Sequence, residues 1–313
     1  MHLRPKNLRL DNLRPEDRLK DPLTFVALFV TLFAVLTGGF EIWLTLNRNS
    51  AGPHIDRAMS YVASADIRLA QIDMVLNNPL SAETTSQVQQ AKQSIKTAKY
   101  SLSQAQELLS GLSSRSLRQK GAAARATKVS RSINARLSLL AAAPTLLDET
   151  SSTAVALAYA SKGWQNLQDA ATLTTDAEQE FAQQTQDALV ASHATSTKAA
   201  DAYEQAGAQF AQAARAAPKA DFSGYQAYVR QRTLMTQSAL LACEDWINGH
   251  YQDANTDVTA YNGFAQAAAD IAGTGLQLPS DILATTYQQQ TQAAQQAYNH
   301  ARAEVLRADA ALR

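Results

Sequence analysis

Hydrophobic residues are laid out along this chain in two different ways. Near the N-terminus they form one nearly unbroken run, LTFVALFVTLFAVLTGGFEIWL, from Leu23 to Leu44. Beyond Pro53 they recur every three or four positions among polar residues, which is the spacing of an amphipathic helix. The first such segment uses Ile55, Met59, Val62, Leu69, Ile72 and Leu76 and should stop at Asn77-Asn78-Pro79. A second, capped by Ser81, alternates three and four strictly through Val88, Ala91, Ile95, Ala98, Leu102, Ala105, Leu109 and Leu112, and Gly111 and Ser113-Ser114 end it. Alanine at alternate core positions lets neighbouring helices approach closely. A third helix is expected from about residue 116 to 142 through Val129, Ile133, Leu137 and Leu140, with Pro144 following it. Three helices joined by short turns predict an antiparallel three-helix unit over residues 54–145.

The remaining residues, 146–313, continue the pattern as a second helical region. No proline interrupts Ser151 to Ala217, and the apolar spacing runs on through Leu157, Trp164, Leu167, Ala177, Phe181, Ala188, Ala199, Ala206 and Phe210. One helix of that length is unusual outside an elongated molecule. A break is expected near Ala191 to Thr197, where Ser, His and Thr weaken the helix. Pro218 to Gly224 reads as a turn, Asn248-Gly249 as an interruption and Gly273 to Pro279 as a loop, and Ser280 caps the last helix. No stretch alternates apolar and polar residues as a strand does. The expected fold is all-α: an N-terminal single transmembrane helix followed by an elongated, coiled-coil-like antiparallel bundle of about six helices.

The apolar run decides the compartment. Pro22 to Phe40 carries no charge, and at about 1.5 Å per residue this approaches the roughly 30 Å hydrocarbon thickness of a bilayer. A soluble core helix rarely stays apolar on every face for so long. Arg4, Lys6, Arg9, Arg14, Arg18 and Lys20 precede the run, whereas only Arg48 and Arg57 follow closely. That asymmetry places the N-terminus in the cytoplasm and the bulk of the chain outside it, extracellular or periplasmic. The reading gives residues 1–21 as a short basic tail, 22–46 as the span and 47–53 as a linker. Gly38, Gly39, Glu41 and Trp43 then mark the outer membrane–water boundary, with Trp43 in the interfacial aromatic belt. Cleavage is the competing reading, and Thr37-Gly38-Gly39 is its site, although no clear A-x-A motif follows the run.

Charge adds a second pattern. The formal net charge is zero, so there is no overall attraction to nucleic acid. Yet Lys92, Lys96, Lys99, Arg115, Arg118, Lys120, Arg125, Lys128, Arg131 and Arg136 are accompanied by one acid, Glu107. From Asp148 to Glu204 nine acids face only Lys162 and Lys198. Either the two stretches meet within the bundle, or the basic strip faces an acidic protein or an anionic envelope polymer.

Chemistry-bearing motifs are sparse. The histidines are scattered without metal-ligand spacing, and there is no phosphate loop or nucleophile elbow. Asp253 to Asp257 resembles the start of a calcium loop, but Val258 and Phe264 replace its glycine and its bidentate glutamate. Glu244 and Asp245 are adjacent, so a helix points them apart. Cys243 is the only cysteine. It reads as a small buried helix residue, or else as one half of an intermolecular disulfide. Tyr225, Tyr228, Trp246, Tyr251, Tyr261 and Phe264 form an aromatic-rich patch, read as core packing or as a ligand groove. No catalytic, metal or cofactor residue is assigned and no enzymatic activity is expected. The expected function is that of a scaffold or adaptor at the cell envelope, partnered by the bilayer and by a protein or an anionic polymer, with no nucleic acid, and open to self-association. Two alternatives stand beside it: a ligand-sensing or signalling accessory subunit, and a secreted toxin- or adhesin-like protein if the run is cleaved.

Overall fold

The computed structural model describes residues 53–77, 84–112 and 121–312. The expected span at 22–46, its boundary residues Gly38, Gly39, Glu41 and Trp43, and Arg115, Arg118 and Lys120 lie outside them, as does Ser81. Within the described residues there are seven α-helices and no strand: α1 Pro53–Leu76, α2 Thr84–Ser110, α3 Ala122–Phe181, α4 Gln186–Ala216, α5 Ser223–Asn248, α6 Tyr251–Gly273 and α7 Pro279–Leu312. None of them is long and apolar enough to cross a membrane.

The three-and-four spacing found its core. Ile55, Met59, Val62, Leu69 and Ile72 of α1 are buried, as are Val88, Ala91, Ile95, Ala98, Leu102 and Ala105 of α2. Helix α1 closes at Asn77, whose N–H donates to the Asp73 carbonyl, and Gly111 closes α2 onto the Glu107 carbonyl. α5 ends at Gly249 in the left-handed region, φ 77°, its N–H bonding back to Asp245 and Trp246 carbonyls. That conformation costs an L side chain energy and glycine little, so Gly249→Ala is expected to lower stability by about 1 kcal/mol. Urea unfolding followed by circular dichroism reads this directly, and an unchanged midpoint would count against it.

Three boundaries differ from the expectation. Helix α3 runs 60 residues straight through Pro144, so the expected division at 145/146 falls inside a helix. Proline in a helix interior sacrifices about 3 kcal/mol, but Leu140, Ala143, Leu146 and Leu147 around it are all buried. Packing of that face outweighs the lost hydrogen bond. The break expected near Ala191–Thr197 lies instead between Phe181 and Gln186, where Gln184 takes φ 53° and the Thr185 side chain caps α4 by accepting from the Ala188 N–H at 3.3 Å. Ser192 and Thr197 stay helical because their hydroxyls donate to the Ala177 and His193 carbonyls. Finally, α7 starts on Pro279 rather than after Ser280, with the Leu278 carbonyl receiving the first turn's N–H groups.

The chain divides into two compact units. Of the described residues, the first contains 53–70, 98–112, 121–134 and 305–312. Its core includes Val62, Leu69, Leu102, Val129, Ile133 and Val305. Ser132 donates to Asp309 at 2.9 Å and Gln106 to Asn134 at 3.2 Å. The second contains 71–77, 84–97 and 135–304. There α5 packs against both α4 and α6. One aromatic core joins α3, α4 and α5: Phe210 stacks on Tyr225 and Phe222, and Trp164 stands edge-on to Tyr225. Elsewhere in this unit, Asp73 accepts from Tyr298 and Arg302, Thr150 shares a hydrogen bond with Tyr287, and Lys92 pairs with Asp148.

Candidate functional site

Within the second unit, α3, α4, α5 and α6 surround a cavity of about 170 Å3, partly open to solvent. Its floor is buried and is built from Ser192, Ser196 and Ala199 of α4 and Thr236, Ala242 and Cys243 of α5. Its mouth carries Glu178 of α3 and Asn262 of α6, both exposed, with Tyr261 and Val258 between floor and mouth. Small residues make the space. Ala177, Ala199, Ala239 and Ala242 line it where a leucine would close it.

Most floor hydroxyls have spent their protons. Ser192 donates to the Ala177 carbonyl at 2.8 Å, and Thr236 to the Arg232 and Thr233 carbonyls at 3.1 and 2.9 Å. A carbonyl can only accept, so these oxygens are left with lone pairs for anything that enters. The Cys243 thiol already uses one of them, pointing at the Ser192 oxygen from 3.5 Å. Burial pushes that thiol up from its ordinary value, and the charges of Glu244 and Glu180 add to the effect. A protonated thiol is a weak nucleophile. The Tyr261 hydroxyl donates to Glu178, and burial together with that carboxylate raises Tyr261 well above an ordinary phenol.

Behind this wall lies a cationic core. The Arg232 guanidinium sits 5.7 Å from the ring centre of Tyr203 and 5.6 Å from that of Tyr228. Its Nε donates to the Tyr228 hydroxyl at 3.1 Å, and an Nη lies 3.2 Å from the Met235 sulfur. Thr174 gives its proton to the Ala170 carbonyl, so the Tyr203 hydroxyl 3.3 Å away is the donor to Thr174. Burial raises Tyr203 as well.

The expected aromatic patch is divided rather than assembled. Tyr225 belongs to the Phe210 core, Tyr228 to Arg232 and Tyr261 to the cavity wall, while Trp246 contacts Phe181 and Tyr251. Cys243 is fully buried, so a second chain's thiol has no access to it and the disulfide reading fails. Glu244 and Asp245 do point apart: Glu244 meets His193 at 3.1 Å and Asp245 lies 3.5 Å from His250. Asp253 to Asp257 lie in α6, a helix and not a loop. Among the described residues no three His, Cys, Asp or Glu side chains are gathered to hold a metal ion.

The basic strip is distributed as well. Lys92 meets Asp148 of the acidic stretch at 2.6 Å, Arg125 reaches Asp56 at 3.8 Å, and Arg136 is buried. Lys96, Lys99, Lys128 and Arg131 are exposed. The cavity itself was missed from the sequence. Its serines and threonines read there only as weak helix formers, and the sole signal was the crowding of small residues along α4 and α5.

No known protein family, curated protein or solved structure matches this chain.

Proposed function

We propose that this chain is a single-pass, membrane-anchored, extracytoplasmic helical-bundle protein that works by interaction, as a scaffold or adaptor at the cell envelope. The observation that carries the reading is the uncharged run from Pro22 to Phe40 behind six basic residues. None of the described helices is apolar enough to span a bilayer, so in this reading residues 22–46 carry the whole attachment. Gly38, Gly39, Glu41 and Trp43 stand at its outer edge. A protein is the favoured partner. With Lys92 and Arg125 each engaged by an acid and Arg136 buried, contact with an anionic polymer rests on the exposed Lys96, Lys99, Lys128 and Arg131.

A topology reporter fused after Asn49 tests the orientation. Activity of an extracytoplasmic reporter is the expected result, and activity of a cytoplasmic one overturns the reading. Intact mass of the mature protein tests the anchor: loss of about the first forty residues would turn the chain into a secreted bundle. A second reading, a ligand-sensing accessory subunit, is favoured by the cavity between α3, α4, α5 and α6. An accessory subunit of this kind would act through a partner that carries the signal.

A further inference from the structure

We propose that the cavity walled by α3 to α6 binds a small amphiphile: a single ring or short hydrocarbon bearing one hydrogen-bond donor, a hydroxyl or an amine, and no negative charge. The proposal is independent of the membrane anchor, and either can fail without the other.

Size sets the first limit. The cavity measures about 170 Å3, close to the engineered apolar cavity of about 150 Å3 that takes up benzene. One six-membered ring with a short substituent fits. Lining sets the second. Ala177, Ala199, Ala239, Ala242, Val258 and Phe181 present hydrocarbon, which favours an apolar body.

Polar chemistry sets the third, and it leans towards acceptors. Ser192 and Thr236 donate to backbone carbonyls, and Tyr261 donates to Glu178. Towards the space these groups offer lone pairs, and the Glu178 carboxylate accepts at the mouth; the Ser196 hydroxyl and the Asn262 amide, which also line it, can each donate as well as accept. A donor head is satisfied by these acceptors, whereas a carboxylate head would meet the like charge of Glu178 at the mouth. The surrounding charge points the same way, since Glu178 lines the mouth and the charges of Glu180 and Glu244 are felt at Cys243 in the floor. The nearby guanidinium of Arg232 is held by Tyr203, Tyr228 and Met235 and does not line the cavity.

Cys243 provides a site-specific readout, because it lines the floor and is the only thiol in the chain. The purified full chain is labelled with a small methanethiosulfonate at alkaline pH, alone and with benzyl alcohol, benzylamine or benzoate. Benzyl alcohol and benzylamine are expected to slow labelling saturably by about tenfold, with Kd about 0.1–1 mM, and benzoate to act at least about tenfold more weakly. Ala239→Leu, which fills the space, should abolish protection. Thr236→Val keeps the volume and removes one floor acceptor. It should weaken benzyl alcohol about tenfold while leaving toluene unchanged. Each variant is read only after its thermal transition matches that of the wild type, and the two stand in for each other if one fails to fold. Absence of saturable protection at about 10 mM of the donor-bearing probes, well above the expected Kd, overturns the site. Protection undiminished in both variants does so too. Benzoate protecting as well as benzyl alcohol overturns the assigned ligand chemistry.

Discussion

Phe210→Ala is expected to destabilise the second unit by about 3–5 kcal/mol, the largest effect of any single substitution considered for this chain. Phe210 is fully buried, and its ring stacks on Tyr225 with centroids 4.5 Å apart and on Phe222 at 6.1 Å. Helix α3 comes up against it at Gly163, where a Cβ would lie 3.2 Å from the Phe210 ring. A hole opened there cannot collapse easily, because three helices meet around the ring and each is long. Phe210→Leu keeps most of the volume and should cost about 1.5 kcal/mol. Urea unfolding read by tryptophan emission is the suitable measurement, since Trp164 stands edge-on to Tyr225 at 6.1 Å. A loss below about 1 kcal/mol for the alanine variant, the range of ordinary substitutions, would show that this cluster is not the core of the unit.

Asp73→Ala should cost about 2–4 kcal/mol. The Asp73 carboxylate is buried and accepts from the Tyr298 hydroxyl at 2.6 Å and from Arg302 at 2.7 Å. Its removal strands both donors. The Arg302 side chain retains 22 % of its exposure, so water recovers part of the loss and the upper end of the range for a broken buried pair is not reached. The pH dependence has a definite sign. Burial raises Asp73 above its ordinary 3.8, and Arg302 and Tyr298 only partly oppose it. A carboxyl raised on folding contributes stability that is full below pH 3.8 and is lost as pH rises through the raised value. Asp73→Asn removes that titration. The stability lead of the wild type over Asp73→Asn is therefore expected to narrow as pH rises from about 3 to about 7. A lead that widens instead would mean that the Arg302 ion pair outweighs burial at this site.

These two residues illustrate where sequence reasoning succeeds and where it stops. Phe210 is predicted as a core position by the same three-and-four spacing that places Val88 to Ala105 of α2, and it is buried as they are. Asp73 reads as an ordinary polar residue between Ile72 and Val75. Nothing near it in the chain announces Tyr298, 225 positions away. The cavity belongs to the same class: Ser192, Thr236 and Tyr261 acquire a common role only when α4, α5 and α6 are packed together. Local signals were also misweighed. Pro144 is a strong breaker taken alone, yet buried Leu140, Ala143, Leu146 and Leu147 carry α3 past it. Thr185, followed by Asp187, was the better boundary signal because it combines a cap with an acid in the first helical turn.

By itself the sequence determined the all-helical class, the buried face of most helices, the turns at Asn77, Gly111 and Gly249, and the contrast between the apolar run and everything after it. These follow from period, composition and backbone chemistry, which act over a few residues and are written in order along the chain. Tertiary structure alone decided which helix covers which face. It set Lys92 against Asp148, dispersed the aromatic patch among four neighbourhoods, buried Cys243 and left a space between α3, α4, α5 and α6. A helical period states that a face must be covered but not by what, and the energy that chooses the partner comes from side-chain volumes and hydrogen bonds between residues far apart in the chain.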